Sequence, residues 1–284
     1  MNWTTLVDAG ALHRALDEDA LRIVDARFAL AEPAAGSLAY MHSHLPGAVY
    51  AHLDRDLSDV TKAGLGRHPL PDPDTFIRRL GEWGITPAHQ VVVYDAGDGS
   101  MAAARMWWMM KLLGHERVAV LDGGLAAWRE LGFPETDVLP EPPQAPRYPA
   151  SFDVASIVSA EDVLGRLDED SGWLFDARAA ERFRGEVEPI DPVAGHVPGA
   201  VNRPFMLNLR DGRFKPAAEL REELFALLAG RDPTSTVMMC GSGVTACHLL
   251  LAFEHAGLHG GKVYAGSWSG WISDPLRPFK AGSA

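Results

Sequence analysis

The sequence predicts an α/β protein built from two copies of one domain, each a mostly parallel sheet flanked by helices. The first observation is an internal repeat. Val7-Asp8, Leu16-Asp17-Glu18-Asp19 and Val24-Asp25-Ala26-Arg27 return as Val158-Ser159, Leu167-Asp168-Glu169-Asp170 and Phe175-Asp176-Ala177-Arg178, offset by 151 positions in each case. His44-Leu45-Pro46-Gly47-Ala48 returns as His196-Val197-Pro198-Gly199-Ala200, and Val120-Leu121-Asp122-Gly123 with Trp128 as Val263-Tyr264-Ala265-Gly266 with Trp271. Ordered self-similarity of this kind signals a duplicated structural unit. The second observation is that short, continuous apolar runs alternate with helical patterns. Runs without polar alternation suit strands buried on both faces, hence a parallel sheet covered by helices. The third is length, since 284 residues suffice for two separate cores.

In the first copy, strands are expected near Ile23-Val24, Ala48 to Tyr50, Val91 to Tyr94 and Val118 to Leu121. In the second they are expected near Leu174-Phe175, Ala200-Val201, Val237 to Met239 and Lys262 to Tyr264. Helix starts are marked by Pro73 before Phe76 to Leu80 and by Pro216 before Leu220 to Leu228, because proline is preorganised for the first turn. Ser159 followed by Asp162 resembles a capping box. A further helical pattern runs from Ala246 to His255 and stops at Gly257. The copies therefore span 1–133 and 151–284. The intervening segment 134–150 carries six prolines, at 134, 140, 142, 143, 146 and 149, and reads as a stiff, extended linker.

Composition narrows the function. A net charge of −12 argues against nucleic acid or an anionic membrane as partner. Cys240 and Cys247 are the whole cysteine complement, which makes no disulfide framework and suits a reducing compartment. The first residues have neither a basic region nor an apolar stretch, and no window approaches a membrane span, so a cytoplasmic protein is expected. His42 with His44, and His255 with His259, have ligand-like spacing but no further partner, and no metal is expected.

The chemistry concentrates at Cys240-Gly241-Ser242-Gly243-Val244-Thr245-Ala246. The thiol ends an apolar strand, a small-residue loop follows, and a helix begins. Glycines let the backbone turn and approach a ligand, and backbone N–H groups with the helix N-terminus favour a thiolate over a thiol. Cys240 is therefore read as a nucleophile. The first copy has Asp95 in its place, followed by Ala96-Gly97-Asp98-Gly99-Ser100, so only the second copy carries the thiol. In open α/β sheets ligands bind beyond the C-terminal strand ends, where Cys240 falls. A phosphatase would need arginine six residues after the cysteine, and Ala246 stands there. A dinucleotide site would need an acid at the end of the next strand, which reads Val263-Tyr264-Ala265-Gly266. His248 lies inside the helix and is not read as a partner for a Cys–His hydrolase.

These residues resemble the tandem rhodanese family, over nearly the whole chain. Cys240 to Thr245 resembles the loop of its mercaptopyruvate sulfurtransferase branch, since the charged residues usual after the cysteine in thiosulfate enzymes are absent. The resemblance implies two rhodanese-like domains, the first non-catalytic and the second catalytic. It implies transfer of sulfane sulfur from 3-mercaptopyruvate through a Cys240 persulfide to a thiol or cyanide, with no cofactor. The persulfide would sit among the N–H groups of Gly241, Ser242, Gly243, Val244 and Thr245. Thiosulfate as donor, or a persulfide relay to one dedicated partner, remain alternatives.

The resemblance also implies substrate binding by Arg182 and a proton relay of Ser242, His68 and Asp54, with Asp56 and Asp59 close to the last. In the animal-type enzymes a second arginine follows, and here that place falls at Ile190, within Glu188-Pro189-Ile190-Asp191. Whether Arg184 replaces it is left open, since nothing in the sequence shows it. Cys247, Trp107, Trp108, Met109, Met110, Trp268 and Trp271 read as packing, and Asp25-Ala26-Arg27 and Asp176-Ala177-Arg178 as strand-end ion pairs.

Overall fold

The apolar runs form two five-stranded sheets in a computed structural model of the chain, which describes residues 1–97, 102–142, 145 and 147–282. Asp98, Gly99 and Ser100 of the acidic loop, and Pro143 and Pro146 of the linker, lie outside the described residues. The chain divides into two units. The first holds residues 1–59 and 70–153, the second 60–69 and 154–284.

In the first unit the elements are β1 (Leu6–Val7), α1 (Ala9–Arg14), β2 (Leu21–Asp25), α2 (Ala35–His42), β3 (Val49–Tyr50), α3 (Leu53–Asp56), α4 (Pro73–Glu82), β4 (Gln90–Tyr94), α5 (Ala102–Leu112), β5 (Val118–Leu121) and α6 (Gly124–Glu130). The sheet order is β1-β5-β4-β2-β3, with every pairing parallel. The segment after α6 lies on this unit. Trp128 donates to Pro134 O, Thr136 bridges to His44, Ala145 donates to Gly81 O, and Tyr148 hydrogen-bonds His115.

The second unit contains β6 (Ile157–Val158), α7 (Ala160–Leu164), β7 (Leu174–Asp176), α8 (Ala180–Phe183), β8 (Val201–Asn202), the hairpin β9 (Leu209–Arg210) and β10 (Arg213–Phe214), α9 (Ala217–Leu227), β11 (Val237–Met239), α10 (Val244–His255), β12 (Lys262–Tyr264) and α11 (Ser267–Trp271). Its sheet order, β6-β12-β11-β7-β8, repeats that of the first unit and is again parallel. The duplication read from sequence is thus a duplication of topology. α7 starts with the capping box of Ser159 and Asp162.

Each sheet is buried because its strands carry apolar side chains to both faces. Val91, Val92 and Val93 in β4, and Met238 and Met239 in β11, are fully buried. Each such side chain contributes about 1.5–3 kcal/mol. Trp107, Trp108, Met109 and Met110 of α5 are core, as are Trp268 and Trp271 of α11. The repeated histidines are pegs. His196 Nδ1 bonds Phe183 O at 2.8 Å and its ring stacks on Phe183, while His44 Nδ1 bonds Tyr40 O at 2.7 Å. Among the described residues no group of three or more His, Cys, Asp or Glu is placed to hold a metal ion. No described helix is long and apolar enough to cross a membrane.

Candidate active site

β11 is the central strand of the second sheet, between β7 and β12, and Cys240 follows it directly. The thiol is 1% exposed. Its sulfur accepts the Gly243 N–H at 3.1 Å. Gly243 caps α10 at φ +82°, and a Cβ there would lie 2.3 Å from Ala265 O. Only glycine combines that dihedral with that approach. Cys247, one turn into α10, donates its S–H to Gly243 O at 3.1 Å, so it braces the loop from below. His248 is buried and stacks on Phe214.

The turn after β12 holds the other side of the loop. Trp268 N–H donates to Cys240 O and Ser269 N–H to Gly241 O, both at 2.9 Å. Cys240 N–H donates to Ser267 Oγ at 3.0 Å, and Ser267 in turn donates to Tyr264 O at 2.9 Å. Ser267 sits at φ +51°, a left-handed conformation that is uncommon for a residue with a side chain. The equivalent position of the first unit is Gly124, at φ +55°. The serine hydroxyl at this position fixes the backbone of Cys240, which a glycine could not do.

Of the expected relay, Ser242 and His68 are brought together. Ser242 Oγ and His68 Nδ1 share a buried hydrogen bond of 2.9 Å. His68 comes from the segment 60–69, which belongs to the second unit. Asp54 belongs to the first unit, on α3, as does the buried Asp56, which engages Arg79 and Arg55. Asp59 ends the first stretch of that unit.

Arg182, on α8, lies beside the loop. Its Nε and Nη2 are held by Glu188 and its Nη2 also by Asp191 at 3.2 Å. Burial works to raise the Glu188 pKa, but the Arg182 hydrogen bond and two backbone N–H groups outweigh it and leave it lowered. A Cβ on Gly241 would lie 3.6 Å from both Arg182 Nη1 and Nη2. Beneath them Arg178 forms a buried fork with Asp176, 2.6 Å at the shortest, and lies over Trp268. Burial opposes the Arg178 charge, yet Asp176, Glu188 and Cys240 raise its pKa. The Asp176-Ala177-Arg178 pair expected at the strand end is therefore present as a buried ion pair.

The sequence leaves open whether Arg184 replaces a second arginine. Arg184 pairs on the surface with Glu186 at 2.7 Å, two residues away, and Ile190 is exposed. The second guanidinium at Gly241 is Arg67, with Nη2 3.2 Å from the Cβ position. Reasoning from the sequence alone missed Arg67, Asp191 and Ser267. Only Ser267 had a signal there, as the residue standing where the first copy has the second glycine of Gly123-Gly124.

The model of the family described as "Rhodanese-like domain" matches residues 8–131 and again 159–274. The chain belongs to the rhodanese-like family. This rhodanese-like protein is 45% identical to a probable 3-mercaptopyruvate sulfurtransferase of Pseudomonas aeruginosa, over 99% of this chain and 100% of that one. It is 40% identical to a putative thiosulfate sulfurtransferase of Mycobacterium tuberculosis, over 94% of this chain and 93% of that one. Its structure matches the 3-mercaptopyruvate sulfurtransferase from Leishmania major with a TM-score of 0.85 and 30% identity, covering 97% of this chain and 75% of that one. The rhodanese-like protein is an enzyme of the sulfurtransferase class.

Proposed function

We propose that the protein moves sulfur from 3-mercaptopyruvate, through a persulfide on Cys240, to a thiol or cyanide. The observation that carries this reading is the pairing of a thiol cradled by Gly243 N–H with the Arg182 guanidinium held beside Gly241. The first can hold a nucleophilic sulfur and the second a carboxylate. The Cys240 thiolate attacks the donor's sulfur, forming the S–S bond. The carbon–sulfur bond breaks and its electron pair passes into the enolate of pyruvate. A proton delivered at carbon completes pyruvate, and the hydrogen-bonded Ser242 and His68 are the nearest relay to supply it. Asp54 as third member of that relay rests on the resemblance alone. The acceptor then attacks the outer sulfur and Cys240 leaves as thiolate. Cyanide would give thiocyanate and a thiol would give its persulfide. The loop N–H groups of Gly241 to Thr245 are assigned to the outer sulfur. The two reduced cysteines and the net charge of −12 support a place in the cytoplasm.

Thiosulfate is a second reading, because the Mycobacterium relative is named as a putative thiosulfate sulfurtransferase and guanidinium groups also suit an anionic sulfonate. Turnover of the two donors at matched concentration tests the choice, and a large preference for thiosulfate overturns it. Donor alone should add one sulfur atom to Cys240 on peptide mapping. Turnover by Cys240→Ser would overturn the mechanism.

A further inference from the structure

The two copies also differ around the histidine that each repeats. In the first unit His44 is enclosed by its own chain. Its Nδ1 bonds Tyr40 O at 2.7 Å, and its Nε2 lies 3.2 Å from Val138 O. Tyr40 stacks on the His44 ring, donates its hydroxyl to Ala48 O at 2.7 Å, and stacks in turn on Tyr50. In the second unit the inner half of this arrangement is kept. His196 Nδ1 bonds Phe183 O at 2.8 Å and the two rings stack, with centroids 3.9 Å apart. The outer half is not kept. Phe183 has no hydroxyl to give to Ala200. Asn202 stands in register where the first unit has Tyr50, since Asp176 pairs with Asn202 as Asp25 pairs with Tyr50. The segments that bridge the two histidines also part. Beyond Thr136 the chain brings Val138 O to His44, whereas beyond Lys280 the Gly282 N–H goes to Arg184 O at 2.8 Å.

These differences open a cleft of about 500 Å³ in the second unit. Phe183, Ala200 and Val201 give it an apolar wall, and His196, Arg184 and Lys280 bring nitrogen to it. No residue of the Cys240 loop lines it. His196 is 1% exposed, and its side-chain hydrogen bond is the one from Nδ1. Its Nε2 therefore lacks, among the described residues, the oxygen that His44 has. A buried polar atom left in this way costs about 1–3 kcal/mol.

The tautomer follows from the geometry. Nδ1 faces a carbonyl and so holds the ring proton, which leaves Nε2 a bare acceptor until the ring takes a second proton. Burial keeps the ring neutral by lowering its pKa. The Phe183 carbonyl and Asp176 favour the second proton, while the charges of Arg178 and Lys280 oppose it. Arg184, paired with Glu186, is the remaining cation at the cleft. An oxyanion placed here would repeat what Val138 O does in the first unit. Its charge would also favour the imidazolium, so that three cations would converge on one ligand.

We propose that this cleft is a second ligand site, which takes a small organic acid with a carboxylate oxygen at His196 Nε2 and its charge met by Lys280 and Arg184. The apolar wall of Phe183, Ala200 and Val201 covers the acid's carbon chain. The site stands apart from Cys240 and does not depend on which sulfur donor the enzyme uses.

The test follows the His196 ring nitrogens by 15N NMR in the full-length protein, with butyrate and with sulfate as probes. It is run at about pH 7.5, above the range in which free histidine titrates. Butyrate should move the Nε2 signal toward its protonated position, saturably, with a Kd of about 1 mM. No saturable shift at about 50 times that concentration overturns the proposal. A response to sulfate equal to that of butyrate, or stronger, overturns the organic acid as ligand. Binding of butyrate should weaken as the pH rises from about 6 to about 8, because the ring must gain a proton. Affinity independent of pH overturns the role of His196. Asn202→Tyr restores the residue of the first unit and should weaken binding by about ten-fold or more. Lys280→Ala, a change at an exposed residue, should weaken it by about 2–5-fold. Parental affinity in either folded variant overturns the site.

Discussion

Replacing Gly243 by alanine should damage fold and chemistry together. The new Cβ would lie 2.3 Å from Ala265 O and 3.0 Å from Ala265 C, both backbone atoms that no side-chain rotation can move. The residue must also keep φ +82° with a side chain, at about 1–2 kcal/mol. Relief of the clash moves residue 243 away from β12, and with it the N–H that lies 3.1 Å from Cys240 Sγ. A hydrogen bond to a charged group contributes about 1.5–3 kcal/mol. The destabilisation should therefore reach about 2–4 kcal/mol, a fall of roughly 5–15 °C in the melting of the second unit. Loss of the sulfur's donor should slow alkylation of Cys240 at neutral pH by about 10–100-fold, since each 1.4 kcal/mol is tenfold. Calorimetry reads the first effect, and iodoacetamide kinetics on the folded fraction read the second. A variant melting within 2 °C of the parent and alkylated at the parental rate would refute the cradle geometry.

Gly241→Ala should behave in the opposite way. The three nearest heavy atoms to its Cβ are guanidinium nitrogens of Arg67 and Arg182 and none is backbone, so stability should change by less than about 1 kcal/mol. The methyl group would instead occupy the space between the guanidiniums, and the donor KM should rise at least ten-fold. An unchanged KM would mean that the donor does not bind over Gly241. On acidification, stability should fall in the range where free histidine titrates. Burial lowers the pKa of His196 and of His115 below the ordinary 6.5. The unfolded chain then takes protons that the folded one refuses, so stability is level above about pH 6.5 and declines below it, by up to about 1.4 kcal/mol per pH unit for each histidine. Denaturation midpoints between pH 5 and 8 check this, and a flat profile would mean that both histidines accept protons in the folded state.

Much of the fold was legible because each copy corroborates the other. The apolar runs Val91 to Tyr94 and Val237 to Met239 became the central strands, and the pairing of Ser159 with Asp162 became the cap of α7. β1 and β6 are two residues each, too short for any periodicity, and were not read as strands, although their residues belong to the repeat. The hairpin of β9 and β10 was not read at all, since its turn at Asp211-Gly212 joins strands of only two residues. In the site, Cys240 and its loop were legible because strand, turn and helix start are contiguous. Arg67 was not, because its place depends on 60–69 packing against residues about 200 positions later, as its bond to Ser269 shows. Arg184 stayed an open question for the converse reason. Proximity in sequence to Arg182 says nothing about direction, and its side chain turns to Glu186.

The course of the chain has a consequence for the history of the duplication. Residues 60–69 are encoded inside the copy that lacks the thiol, between α3 and α4, yet they fold with the copy that has it. A gene shortened to its second half would still encode Cys240 and Arg182 but would lose His68 and Arg67. The first copy thus carries, within its own stretch of sequence, two side chains that fold with the second. A severed second half would start from a site short of the Ser242–His68 hydrogen bond.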